Sequence, residues 1–266
     1  MDDTKIAIIT GASQGLGAAV ACWMAKDSAA VVLVARSRDN LDPVAHRVEQ
    51  LGGSAMVIPA DVADPAACQN IVDTTLKQFK KIHALINNAG VISPLAPIEH
   101  ADIHQWRYAI EVNLLGPFYL SKYALPALMN TNGHIVNISS GASRTPIPSA
   151  SAYCASKAGL THFNRVLAEE VPGITAIAVR PGVVDTPMQT QIRNEGSDVM
   201  NPAQYAYYTD LKTKGRLEPP EVPARSVAWL AFHAPHDMSG DFRNYDDPDI
   251  AGPALSVYGS TVERVL

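Results

Sequence analysis

The run Ile6-Ala7-Ile8-Ile9-Thr10-Gly11-Ala12-Ser13-Gln14-Gly15-Leu16-Gly17 decides the fold class of this chain. Residues 6–10 form an unbroken apolar run rich in isoleucine, which is typical of a strand that helices cover on both faces. The glycines that follow let the backbone approach a phosphate closely, and residues 15–27 have the pattern of a helix. The N-terminus of such a helix presents free N–H groups and a positive dipole end. Together they predict the first βα junction of a doubly wound sheet that binds a dinucleotide.

Short apolar runs and longer helical patterns alternate along the rest of the chain. We predict strands at residues 6–10, 31–35, 55–58, 84–87, 134–138 and 175–179, and helices at 15–27, 40–51, 65–79, 104–129 and 151–170. This alternation indicates βαβ units with right-handed crossovers, and therefore an α/β fold with a mostly parallel sheet and helices on both faces. Because no repeat or linker interrupts the pattern, we expect one domain over residues 1–266.

The composition argues against several classes of protein. The 266 residues are 47% hydrophobic, and the formal net charge of −5 comes with no basic block, so nucleic acid and anionic membranes are poor candidates as partners. No apolar stretch approaches the ~20 residues that span a bilayer. The widely separated Cys22, Cys68 and Cys154 suggest neither a disulfide framework nor a metal site. Residues 1–5 lack the pattern of a signal peptide, so we expect a cytoplasmic protein.

The glycine turn also allows a different chemistry. Residues 11–15 read Gly-Ala-Ser-Gln-Gly, which matches the GxSxG elbow of serine hydrolases and would make Ser13 a nucleophile. Three points argue against a hydrolase. The elbow would follow the first strand, with no topology built ahead of it. Gly17 suits phosphate binding and helix–strand packing and not an oxyanion hole, and the eight histidines are scattered, so no later Asp–His pair is marked out. A hydrolase is therefore the distant alternative, and a plain tight turn is the simplest interpretation.

Tyr153 and Lys157 are four residues apart in a predicted helix, so they lie on one face. A tyrosine has a pKa near ~10. An ammonium at ~4 Å, in an effective dielectric of ~20, would stabilise the phenolate by about 4 kcal/mol. That energy would lower the pKa of Tyr153 by up to about three units and suit it to acid–base chemistry. From the spacing alone, a pair on the helix surface is the simpler interpretation.

Several motifs together resemble the classical short-chain dehydrogenases/reductases. They are Thr10-Gly-x-x-x-Gly-x-Gly17, Asn87-Asn88-Ala89-Gly90, Asn113, Ser140, Tyr153-x-x-x-Lys157 and Pro181-Gly182-x-x-x-Thr186, and they cover residues 5 to about 188. The resemblance implies a Rossmann-type fold and a catalytic set of Asn113, Ser140, Tyr153 and Lys157. In that set Tyr153 is the acid, Lys157 lowers its pKa and holds the cofactor ribose, and Ser140 binds the substrate oxygen. Asn113 would kink its helix and order a relay water.

The resemblance also implies which residues contact a nicotinamide cofactor. They are Gly11, Ser13, Gln14, Gly15, Leu16, Gly17, Arg36, Ser37, Asp61, Val62, Asn88, Ala89, Gly90, Tyr153, Lys157, Pro181, Gly182, Val184 and Thr186. The position that usually carries a carboxylate for the ribose 2′-OH is Ala35, and Arg36 follows it, which favours NADP(H) over NAD. Gln14 departs from the basic residue common in NADP-preferring relatives. Asp61 would meet the adenine or cap a helix, and both roles are compatible.

The C-terminal third carries the expected substrate contacts. Residues 1–184 would form the dinucleotide-binding and catalytic core, 185–221 an inserted lid with helical pieces at 186–193 and 203–214, and 222–266 a C-terminal helix and last strand. The lid contains Gln189, Met200, Tyr205, Tyr207 and Tyr208. Packing against the core or a neighbouring subunit is the rival explanation for these tyrosines, since relatives are usually oligomeric, so a homodimer or homotetramer is expected.

These features predict an NADPH-dependent carbonyl reductase, or the reverse alcohol oxidation. The tail at residues 239–248 departs from the closing glycine-rich strand of the family. It resembles the benzil-reductase and sepiapterin-reductase-like branch, which is a pointer to α-dicarbonyl or related ketone substrates. Two alternatives stay open: a serine hydrolase that uses Ser13, and a non-catalytic NADP-binding sensor or scaffold.

Overall fold

Seven strands form one parallel sheet in the order β3-β2-β1-β4-β5-β6-β7. The computed structural model describes residues 4–260, so predictions for residues 1–3 and 261–266 lie outside the described residues. The strands are β1 (Ile6–Thr10), β2 (Ala30–Ala35), β3 (Ser54–Pro59), β4 (Ala84–Asn87), β5 (His134–Ile138), β6 (Thr175–Arg180) and β7 (Phe242–Asn244). The predicted parallel sheet is confirmed, and the six predicted strands agree with β1–β6 to within one residue at each end.

Ten α-helices lie between residues 4 and 260. They are α1 (Gly15–Lys26), α2 (Arg38–Gln50), α3 (Pro65–Phe79), α4 (Ile103–Ile110), α5 (Gly116–Met129), α6 (Ser151–Glu170), α7 (Pro187–Gly196), α8 (Pro202–Thr213), α9 (Glu221–His233) and α10 (Pro248–Tyr258). In this part of the chain, every helix is too short or too polar to cross a bilayer.

Helices cover both faces of the sheet, which explains the unbroken apolar run of β1. All five β1 residues are buried. Ala7 and Ile9 face an apolar cluster with residues from α1, α2, α9 and α10, whereas Ile8 faces a second cluster with residues from α3, α5 and α6. Successive strand residues point to opposite faces, so both sets must be apolar.

The helix predicted at 104–129 runs without interruption from Ile103 to Met129, but it is not a regular α-helix throughout. Glu111–Leu115 form a π-helical turn between α4 and α5. The fully buried amide of Asn113 accepts from Val91 N and donates to Val91 O, both at 2.8 Å. Pro117 has no N–H for the regular helical hydrogen bond. Both features favour a local departure from regular α-helical hydrogen bonding, and this π-helical turn lies where the kink at Asn113 was predicted.

The strand order reverses beside β1, because the chain runs outward from β1 to β3 and then returns to β4. One hydroxyl ties the ends of β1 and β4 together: Thr10 Oγ1 donates to Ile86 O at 3.3 Å and accepts from Asn88 N and Ala89 N, both at 3.0 Å. The crevice outside the carboxyl ends of such strands is where doubly wound sheets bind ligands. The fold therefore places the site above Thr10 and Asn88.

Candidate active site

A cleft of about 680 Å³ opens at the carboxyl ends of the strands. Nearly all of the predicted site residues line it: Gly11, Ser13, Gln14, Gly15, Leu16, Arg36, Ser37, Asp61, Val62, Asn88, Ala89, Gly90, Ser140, Tyr153, Lys157, Pro181, Gly182, Val184 and Thr186. The two others, Gly17 and Asn113, are buried and do not line the cleft. Residues far apart in sequence thus meet around one cavity.

The glycine turn forms one wall of the cleft and leaves no room for side chains at its glycine positions. Gly11 and Gly15 have φ angles of +62° and +55°, which favour glycine. A Cβ on Gly17 would lie 2.4 Å from Gly11 O, so only glycine lets α1 pack so closely against the turn. Asn88 Nδ2 holds the turn by donating to Thr10 O at 2.8 Å and to Gly11 O at 3.2 Å.

This turn fits the pyrophosphate of a dinucleotide. Gln14, the residue before α1, makes no side-chain cap bond, so the first N–H groups of α1 keep their hydrogen-bonding capacity. On the opposite side, a Cβ on Gly15 would lie 2.9 Å from Thr186 Cγ2, so the β1 and β6 turns close on each other. Backbone donors and the absence of side chains are what a phosphate needs for close approach.

The hydrolase alternative is not supported. Ser13 lies in this same turn, and none of the described residues that line the cleft is a histidine. A serine nucleophile needs an adjacent base to take its proton. The position of Ser13 instead agrees with a role in the phosphate-binding turn.

At the far end of the cleft, three side chains form a hydrogen-bonded chain. Arg36 Nη1 donates to the Tyr108 hydroxyl at 3.3 Å, and that hydroxyl donates to Asp61 Oδ2 at 2.9 Å. Burial and the Asp61 carboxylate raise the pKa of Tyr108. Tyr108 was not predicted to belong to the site. It lies 72 residues from Arg36 in sequence, and a tyrosine on an amphipathic helix carries no signal of such a contact.

The helix caps near Arg36 and Asp61 include one that differs from its prediction. The cap proposed for Asp61 is wrong, because Asp64 caps α3 by accepting from Ala66 N at 2.9 Å. Asp61 Oδ1 instead accepts from Ala63 N at 3.0 Å within the preceding turn. Ser37 caps α2 by accepting from Asn40 N at 3.4 Å, which leaves its own O–H free to donate.

At the other end, Tyr153 and Lys157 project from α6 toward Ser140, which follows β5. Lys157 Nζ lies 5.7 Å from the Tyr153 ring centroid and donates to Ile138 O at 2.7 Å. Burial lowers the pKa of Lys157 to about 8. Burial raises the pKa of Tyr153, and a hydrogen bond with Ser140 opposes that rise. The predicted lowering of the Tyr153 pKa by Lys157 is therefore wrong here, because desolvation of the phenol dominates.

Asn113 supports this end from behind. Besides its two bonds to Val91, its Nδ2 donates to Ser156 Oγ at 3.1 Å, and Ser156 is one residue before Lys157 on α6. A Cβ on Gly90 would lie 3.4 Å from Asn113 Oδ1 and 3.7 Å from Lys157 Nζ. Asn113 thus joins the loop after β4 to the helix that carries the catalytic pair. Its ordering of a relay water stays a prediction.

The segment predicted as a lid contains α7 and α8 and covers the Tyr153 end. Eight of its residues line the cleft: Thr186, Pro187, Met188, Gln189, Ile192, Met200, Tyr207 and Tyr208. Polar contacts join the segment to the loops beneath it: Gln191 Nε2 donates to Ser93 Oγ at 2.7 Å and Gln204 Nε2 to Pro148 O at 3.1 Å. Among the described residues, Oε1 of the buried Gln189 has no hydrogen-bond partner.

Comparisons with known proteins agree with this geometry. A sequence model of the short chain dehydrogenase family matches residues 5–197. The chain is 32% identical over 256 residues to a benzil reductase ((S)-benzoin forming) of Saccharomyces cerevisiae, covering 91% of this chain and 96% of that protein.

Two solved structures are similar over most of their length. One is a short-chain dehydrogenase/reductase of Saccharomyces cerevisiae, with a TM-score of 0.88, 34% identity and coverage of 93% of this chain and 98% of that chain. The other, from Beutenbergia cavernae, is described as an NAD(P)-dependent gluconate 5-dehydrogenase with bound NADP at low occupancy; its TM-score is 0.80, with 31% identity and coverage of 91% and 95%. The fold, the cleft and these relatives agree, and the chain belongs to the short-chain dehydrogenase family.

Proposed function

We propose that the protein is an NADPH-dependent carbonyl reductase that reduces ketones or α-dicarbonyl compounds, or catalyses the reverse oxidation of the alcohol. The observation that carries this proposal is a single cleft with Ser140, Tyr153 and Lys157 at one end and the glycine turn and Arg36 at the other. When bound, NADPH supplies the hydride for the carbonyl carbon. The residues of the chain bind and orient the reactants and supply the proton.

Tyr153 suits the role of general acid. Since burial raises its pKa, the phenol keeps its proton at neutral pH and can donate it to a carbonyl oxygen. Ser140 Oγ accepts from Ala142 N at 3.2 Å and is hydrogen-bonded with Tyr153; with a substrate bound, its O–H would donate to the same carbonyl oxygen. Lys157 Nζ lies 5.7 Å from the Tyr153 ring centroid, and its ammonium would stabilise the negative charge that develops on the phenol only as the proton leaves.

Preference for NADPH rests on the charges at the far end. Arg36 presents a planar donor fork that suits a 2′-phosphate, and the free O–H of Ser37 and the N-terminus of α2 lie beside it. Asp61, the nearby acid, already accepts hydrogen bonds at both carboxylate oxygens. The NADP in the Beutenbergia cavernae relative supports the same choice.

Ketone and α-dicarbonyl substrates are supported by the apolar lining of the lid end and by the benzil reductase relative. We propose that residues 185–221 close over the substrate and exclude water. We also propose a homo-oligomer, since Phe118 on α5 and Val166 on α6 are each 41% exposed. Light scattering in solution measures that state, and a monomer would contradict it.

The test is NADPH oxidation by the purified protein against a panel of ketones and diketones, with Tyr153→Phe as the paired variant. Loss of the general acid should lower turnover roughly 10²- to 10⁴-fold while NADPH affinity, measured by fluorescence, stays near that of the wild type. Near-native turnover in the variant would contradict the assigned acid. A wild-type protein that binds NADPH tightly but reduces no carbonyl compound would favour the sensor alternative.

A further inference from the structure

The catalytic end of the cleft contains a second phenol besides that of Tyr153. Tyr208 on α8 lines the cleft and packs against the same apolar cluster as Tyr153. We name this the lid cluster; its buried members are Ile92, Leu95, Ala150, Ile192 and Met200. The ring of Tyr207 lies 5.2 Å from that of Tyr208, edge to face at 72°. Packing on two sides therefore fixes the direction of the Tyr208 side chain.

The Tyr208 hydroxyl is available to a ligand. Among the described residues it has no hydrogen-bond partner, although the ring is largely enclosed by apolar side chains. Burial raises its pKa to about 12, with smaller contributions from Tyr207 and Tyr153, so the group keeps its proton and acts as a donor at ordinary pH. The hydroxyl is not sealed from the cleft, so it can donate to a ligand atom that enters there.

The position of Tyr208 relative to Tyr153 limits which ligand atom the Tyr208 hydroxyl can bind. The two tyrosines pack on one cluster and line the same end of the cleft, so one bound molecule can contact both. The Tyr153 hydroxyl and Ser140 are assigned to the reacting carbonyl oxygen. A second donor in the wall of the same end of the cleft suits a second oxygen on the same substrate, while the apolar walls suit the substituents.

We propose that the Tyr208 hydroxyl donates a hydrogen bond to a second substrate oxygen, on the carbon next to the reacting carbonyl, so that the cavity selects 1,2-dicarbonyl compounds over monoketones of the same shape. This inference rests on the proposed carbonyl reductase function and deepens it. A monoketone fills the same cavity but leaves the Tyr208 hydroxyl without a partner. Sites that hydrogen-bond a substrate group discriminate against analogues that lack it.

Tyr208→Phe tests the proposal because it removes the hydroxyl and keeps the ring. The probes are 1-phenyl-1,2-propanedione and propiophenone, which lacks the second carbonyl oxygen. Two quantities are measured for each: kcat/KM for NADPH oxidation, and the dissociation constant from the NADP⁺ complex by calorimetry. Since a dione is intrinsically more reactive, the comparison is between the fold losses caused by the substitution and not between the two rates. The matched control is Tyr205→Phe, which lies on the same helix and packs on the lid cluster but is not among the residues that line the cleft.

We expect Tyr208→Phe to lower kcat/KM and affinity for the dione by about 3- to 10-fold, the value of one neutral hydrogen bond, and to change those for propiophenone by less than about twofold. Tyr205→Phe should leave both compounds unaffected. Equal losses for the two compounds, unchanged dione binding, or failure of the wild type to bind the dione would each overturn the proposal. If the wild type oxidises no NADPH but its dione affinity still depends on Tyr208, the proposed reductase function is wrong, and only the contact between Tyr208 and a bound dione is supported.

Discussion

Replacement of Arg36 by alanine should weaken NADPH binding far more than NADH binding, because only NADPH carries a 2′-phosphate. Arg36 lines the far end of the cleft, and its guanidinium is oriented by the Tyr108 hydroxyl at 3.3 Å. A hydrogen bond to a charged group contributes about 1.5–3 kcal/mol, which corresponds to roughly a 10- to 150-fold change in affinity. Arg36 is exposed, so solvent screening should place the loss near the lower limit, at about 10-fold.

The assay is titration of the wild type and the variant with NADPH and with NADH, at low and at high salt. Screening by salt should reduce the difference between wild type and variant for NADPH and leave NADH almost unchanged. Arg38→Ala is the matched control, since Arg38 is exposed, lies two residues further on, and pairs with Asp42 at 3.7 Å. It should affect neither cofactor.

Equal losses for NADPH and NADH in Arg36→Ala would refute the reasoning, because they would mean that Arg36 supports the local fold and not the phosphate. An equal NADPH loss in Arg38→Ala would refute it differently, by showing a general effect of positive charge at the start of α2. Circular dichroism of each variant separates loss of fold from loss of contact.

Two further predictions concern the turn and the catalytic lysine. Gly17→Ala should abolish tight cofactor binding and destabilise the fold by about 1–3 kcal/mol, because the new Cβ would lie 2.4 Å from Gly11 O; thermal unfolding and NADPH titration measure both effects. Burial lowers the pKa of Lys157 from 10.5 to about 8, so the unfolded chain binds the proton more tightly over that interval. The free energy of unfolding of the wild type, relative to Lys157→Met, should therefore rise as pH increases from about 8 to 10.5, as measured by urea denaturation.

Each of these has its own control. Gly173→Ala should be nearly neutral, since a Cβ there meets nothing within 4 Å, and a loss as large as that of Gly17→Ala would contradict the steric argument. A difference between the wild type and Lys157→Met that falls with rising pH would mean that Lys157 is stabilised in its charged form, contrary to the desolvation argument.

The parallel sheet and the order of its elements could be predicted from sequence because the signals are local. The apolar run of β1, the glycines that follow and the helical pattern of α1 are contiguous, and each is read from the neighbouring residues. The same holds for Tyr153 and Lys157, whose spacing alone puts them on one helix face. The position of the cleft could also be predicted once the sheet was known to be parallel, because parallel strands bring their carboxyl ends to one edge.

Features that depend on contacts between distant residues could not be predicted. The sign of the Tyr153 pKa shift is opposite to the expectation, because it depends on how far distant side chains desolvate the phenol. The π-helical turn between α4 and α5 is accompanied by contacts of Asn113 with Val91, 22 residues away in sequence.

The positions of the two phenols at the ends of the cleft, Tyr108 and Tyr208, also depend on contacts between residues distant in sequence. Tyr108 belongs to no motif that marks its place in the site, and Tyr208 was predicted only as one of several lid residues. Tyr108 reaches Arg36 and Asp61 only because α4 packs over the far end, and Tyr208 reaches the catalytic end only because α8 folds back over the lid cluster. Local sequence thus determined the sheet, the phosphate turn and the catalytic spacing. Long-range packing decided the solvation and the neighbours of each reactive group, since those depend on residues that no local pattern connects.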